Sequence, residues 1–145
     1  MVLSYDGGIL WEPVLAGDEM LRVWVNDHQR TDKGFGPALG PDAVATLALL
    51  LRKQGYEVMV RPSPWRLKPE QVAIQTVLLD GWLNAAVEIA PEAANELESW
   101  WVKRRRWLEC GESRLQVGHW DLLAWPGGQQ FPHKTCLCPI NASYN

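Results

Sequence analysis

Apolar and polar positions along the chain alternate between two periods, and together they predict an α/β arrangement. Val2-Leu3-Ser4-Tyr5 reads as the end of a buried strand, stopped by the turn signal Asp6-Gly7-Gly8. Ile9-Leu10-Trp11 returns as a second short strand before Glu12-Pro13 breaks it. From Asp18, a capping residue, Leu21, Trp24, Val25 and His28 fall on one face of a helix running to Arg30. A glycine- and proline-rich loop from Thr31 to Gly40 follows. Pro41 opens the next helix, whose stripe is Val44, Leu47, Ala48 and Leu51; Leu49 and Leu50 widen it, which predicts deep packing. Gly55 suits the position just past its end.

Tyr56 to Arg61 alternates as a strand does, and the two prolines of Pro62-Ser63-Pro64-Trp65 argue against central ladder pairing beyond it. Pro69 opens a long helix with Val72, Thr76, Leu79, Leu83, Ala86 and Ala90 in a 3.6 period, and Pro91 starts another that Gly111 closes. Arg114 to Trp125 is the last strand. Residues 127–145 show no period and read as an irregular tail. The order strand, two helices, strand, two helices, strand predicts an α/β layer with helices covering a thin sheet. The long helical connection from the first strand to Tyr56 suits a parallel crossover.

Composition narrows the class. The chain has 145 residues, 47% hydrophobic and 21% charged, a globular balance that fits one domain. Formal net charge is -3, which provides no footprint for nucleic acid or an anionic membrane. No apolar run approaches the roughly 18 to 20 residues that span a bilayer, and no secretory signal opens the chain. Cys110, Cys136 and Cys138 are too few and too oddly spaced for a disulfide framework. The expectation is a cytoplasmic chain without nucleic-acid or membrane partners. Nine tryptophans imply large buried aromatic surfaces.

Few positions carry recognisable chemistry. The loop Lys33-Gly34-Phe35-Gly36 lacks the order a phosphate-binding loop requires, because its lysine precedes the glycines. It reads either as a bare turn or as a wall presenting Lys33 and Phe35 to a substrate. His28 and Gln29, with Asp32 and Lys33, give four polar heads in six residues; His28 reads either as a helix-end cap or as a group projecting into a pocket. No serine or cysteine nucleophile stands at a strand-to-helix elbow, so a hydrolase is not supported. His133, Cys136 and Cys138 do not have zinc-ligand spacing. The basic run Lys103 to Arg106 points all round its helix and reads as dipole compensation and pairing with nearby glutamates.

Four segments taken in order carry a resemblance: Leu3-Ser4-Tyr5-Asp6-Gly7, the stretch from His28 to Pro41, Arg61-Pro62-Ser63-Pro64-Trp65, and Val117-Gly118-His119-Trp120-Asp121-Leu122-Leu123. Over residues 1–126 the chain resembles the C-terminal half of a bacterial class I S-adenosylmethionine-dependent methyltransferase. The resemblance implies a partial, open, Rossmann-like sheet. Its fifth strand would be Val2–Tyr5 and its sixth Tyr56–Arg61. The seventh, Arg114–Trp125, would lie antiparallel between them, and a helical insertion would occupy about residues 67–111. It also explains a chain that starts inside a strand, as if upstream sequence were missing.

The family's cofactor site lies in the first half of the fold, so S-adenosylmethionine is the implied cofactor but no residue here is assigned to it. What remains is substrate-side: Tyr5, Asp6, His28, Gln29, Lys33 and Phe35 would border the methyl acceptor. Methyl transfer from a sulfonium is in-line displacement, for which an enzyme aligns the acceptor and removes its proton; His28 is the base candidate. The chain alone is expected to be inactive, and its first strand to offer an edge for self-association. The alternative is a stand-alone α/β module that binds a protein through tryptophans on the 91–110 helix.

Overall fold

The computed structural model describes residues 2–32 and 34–128. It is a mixed α/β fold with a four-stranded, wholly antiparallel sheet. The strands are β1 (Val2–Glu12), β2 (Tyr56–Pro62), β3 (Trp65–Leu67) and β4 (Arg114–Pro126). The helices are α1 (Asp18–His28), α2 (Ala43–Lys53), α3 (Val72–Ile89) and α4 (Ala94–Glu109), with single 3₁₀ turns leading into α2 and α4. β4 lies between β1 on one side and β2 with β3 on the other, so β1 and β2 run parallel to each other without touching.

Several local expectations are corrected. Asp6-Gly7-Gly8 does not stop the first strand: β1 is one strand of 11 residues with a bulge between Tyr5 and Ile9. Gly7 supplies the positive φ of 91° that the bulge requires. Its carbonyl is held by the side chains of Arg22 and Asn26 from α1, at 3.1 Å each, so the bulge does not leave this acceptor unpaired. The segment after Arg61 also pairs further than its prolines suggested. Pro62 stands opposite Trp120, the Ser63 amide donates to the His119 carbonyl, and β3 then rejoins β4. This is possible because β2 and β3 form an outer edge of the sheet, where a missing N–H faces away from the ladder.

The two faces of β4 carry two apolar clusters. Leu115 and Val117 join Ile9, Trp11, Leu21, Val25, Leu79, Leu97 and Trp100 under α1, α3 and α4. Leu122, with Trp120 and Ala124, packs under Val44 and Ala48 of α2. The alternation of side chains along one strand therefore feeds both layers. Among the described residues, α2 is packed on one side. Leu49 and Leu50 are more than half exposed, contrary to the deep packing expected, because they lie off the Val44/Ala48 stripe that meets the sheet.

The basic run on α4 is also not a uniformly solvated surface. Arg104 is fully buried, and its guanidinium makes a bonded pair with Asp18 at 2.7 Å. Burial pulls its pKa below the ordinary value while Asp18 pulls it back. Among the described residues, α3 is the one helix long and apolar enough to cross a membrane by length and composition, contrary to the expectation that no segment approaches that length, because polar residues break its apolar run. Its polar residues engage neighbouring helices: Asp80 accepts from Trp101 Nε1 at 2.9 Å, and Glu88 meets His28.

Candidate functional site

Polar groups converge beneath α1, where the β1 bulge meets the middle of β4. Tyr5 Oη donates to Asn26 Oδ1 at 2.9 Å, and Asn26 Nδ2 donates to the Gly7 carbonyl. On β4, opposite Tyr5, His119 is 92% removed from solvent. The two rings meet edge-on at 6.2 Å, and Trp65 lies across the histidine at 4.5 Å. His119 Nδ1 is 3.1 Å from the Val117 carbonyl, a contact that only a protonated Nδ1 satisfies, so in the neutral ring the lone pair resides on Nε2. Ser63, whose amide donates to the His119 carbonyl, has a buried Oγ without a hydrogen-bond partner among the described residues. This seam holds one neutral phenol donor, one imidazole acceptor and one hydroxyl within an aromatic frame.

Burial holds the Tyr5 phenol well above its ordinary pKa, with the Arg22 charge pulling the other way. The folded state thus keeps the proton more tightly than the unfolded chain does. Stability from this group is complete below about pH 10, where a free tyrosine ionises, and is lost as pH rises above it. Tyr5→Phe is expected to cost about 1 kcal/mol at neutral pH, through the lost bond to Asn26. It should also flatten the alkaline fall in stability. Urea unfolding of both proteins between pH 8 and 11 checks this; parallel curves would remove the phenol from the seam's energetics.

The residues expected from the sequence fall into separate local structures. Asp6 lies on the opposite face of β1 from Tyr5, where its Oδ1 accepts from the Gly8 amide at 2.8 Å and its carboxylate lies against Gly118 of β4. His28 ends α1 and its Nε2 is 2.9 Å from Glu88 Oε2, tying α1 to α3. Gln29 is the exposed residue that caps α1. Asp32 Oδ1 accepts from the amides of Gly34 and Gly36, at 2.7 and 2.9 Å, which shapes the loop and leaves Phe35 fully exposed. Lys33 lies outside the described residues, as do His133, Cys136, Cys138 and most of the tail. Tyr5 is the one expected residue inside the seam.

His119, Asn26 and Ser63 were not singled out by sequence reasoning. A histidine inside the apolar alternation Val117-Gly118-His119-Trp120 was the one available signal, since a polar ring at a core-facing position must find partners. Asn26 gave none, because its role depends on a carbonyl 19 residues away.

Comparison with family models, with curated proteins and with solved structures yields no match for this chain.

Proposed function

We propose that this chain is the C-terminal portion of a class I S-adenosylmethionine-dependent methyltransferase domain. It would supply substrate-side structure for transfer of a methyl group to an acceptor. The observation that carries this reading is the strand order β1-β4-β2. A last strand runs antiparallel between two mutually parallel strands that are joined by a helical connection. That is the arrangement the resemblance implies for the end of such a sheet. β1 has no partner strand on its other side among the described residues. On this reading the sheet of the whole domain continues there, and in the isolated chain that edge is open to a second copy.

The described residues do not fit the cofactor itself. Such a site needs a glycine-rich turn between a strand and the helix that follows it. Here Gly7 is buried in the β1 bulge with its carbonyl already engaged, and the Gly34–Gly40 loop follows a helix. No step through S-adenosylmethionine is therefore assigned to these residues. Two imidazoles are the proton-acceptor candidates on the acceptor side: His28, paired with Glu88, and His119, with Nε2 as its basic nitrogen.

The alternative, a binding module using tryptophans of the 91–110 helix, has less support. Trp100 is buried, and Trp101 is half-buried, bonded to Asp80 and covered by Arg105.

Calorimetric titration with S-adenosylmethionine tests the proposal. No saturable binding is expected for this chain, and binding is expected for a chain extended by the reading frame preceding Met1 in its gene. Stoichiometric binding by the short chain would overturn the strand assignment, and no binding by the extended chain would overturn the family reading.

A further inference from the structure

Among the described residues, α2 packs on one face of the sheet around Trp120 to Ala124. Towards the carboxyl end of β1 and the start of β4 the same face opens into a cleft of about 420 Å³. Register places Leu10, Gln116 and Arg66 side by side across β1, β4 and β3, with Glu12 opposite Arg114 in the next row on that face. Lys68, just past β3, completes the rim.

Three observations point to an occupant. The rim carries three cations, Arg66, Lys68 and Arg114, against one carboxylate. That carboxylate, Glu12, forms a long ion pair with Arg114 at 3.9 Å, beyond hydrogen-bond distance, and Arg66 and Lys68 form no ion pair among the described residues. Leu10, at the β1 end of the row, is 61% exposed, an apolar surface across Gln116 from the cation Arg66. Finally, the rim is anchored from beneath. Buried Gln75 donates to the carbonyls of Lys68 and Ser113, at 2.8 and 3.2 Å, and accepts from Ser113 Oγ at 3.0 Å. This staple fixes the backbone that presents Lys68 and Arg114 before any ligand arrives.

We infer that this cleft binds a small amphipathic anion, with its anionic head between Arg66 and Lys68 and its apolar body on Leu10. The volume is within the range of small-molecule sites, and the guanidinium fork of Arg66 matches a carboxylate. The inference does not rest on methyl transfer, and its test uses no S-adenosylmethionine.

Octanoate is the probe, titrated into the full chain and followed by amide chemical shifts. Saturable shifts at Leu10, Arg66 and Gln116 are expected, with neither octanol (tail without charge) nor acetate (charge without tail) reproducing them. The double variant Arg66→Gln/Lys68→Gln, at two exposed positions, should retain the folded spectrum and bind octanoate about tenfold more weakly. Equal binding by that variant, equal binding of octanol, or shifts confined to other parts of the chain would each overturn the assignment.

Discussion

Replacing Asp18 with alanine is expected to destabilise the protein by about 3–5 kcal/mol, enough to unfold a domain of ordinary stability at modest temperature. The Asp18 carboxylate accepts from the Leu15 amide and from Trp100 Nε1, each at 2.8 Å, and from Arg104 through both oxygens. Without it, among the described residues the buried Arg104 keeps the Pro13 carbonyl at 2.9 Å and the face of Trp11 at 5.1 Å, while its Nε has no partner there. An uncompensated buried charge is what makes the loss large. Converting both partners to apolar residues removes that charge. Asp18→Leu/Arg104→Met should therefore be more stable than Asp18→Ala, although it contains more changes. Urea denaturation of the variants is the measurement. A loss below about 1 kcal/mol for Asp18→Ala would contradict the buried pair.

The second large effect is at Gly118, through space rather than backbone conformation. A Cβ there would lie 1.9 Å from Asp6 Oδ1 and 2.5 Å from Asp6 Cγ. Gly118→Ala must therefore expel the Asp6 carboxylate from its bond with the Gly8 amide, at an expected cost of about 1–3 kcal/mol. Asp6→Ala in the same chain should recover part of that loss, because it removes the atoms in conflict. Thermal melts of the two single variants and the double variant provide the cycle. Additive losses would mean that the two residues do not share this space.

Most elements were legible in the local pattern. Leu21 and Val25 in α1, Val44 and Ala48 in α2, and Leu79 and Ala86 in α3 were read from a 3.6 period and are buried. Local pattern works there because one repeating face decides both the element and its buried side. It failed where a residue's partner is distant in the chain. Arg104 looked like one of four interchangeable surface cations, and nothing near it marks it as the partner of an aspartate 86 residues away. Gly7 and Gly8 looked like a chain reversal, yet Arg22 and Asn26 turn them into a bulge that carries the strand on. The candidate site shares this limit: Tyr5 was read from its place at a strand end, whereas His119 gains meaning only from Trp65 and Tyr5 on other strands.

By itself, then, the sequence determined the α/β class, the helix and strand periods and the stripes that must be buried, since these follow from spacing along one segment. Tertiary structure decided which strands pair, which single arginine enters the core, and which cleft brings three cations and an exposed leucine to one rim. Those outcomes depend on groups brought together across the sheet, and the energy of a charge or an unpaired carbonyl is set by the neighbours that folding places around it.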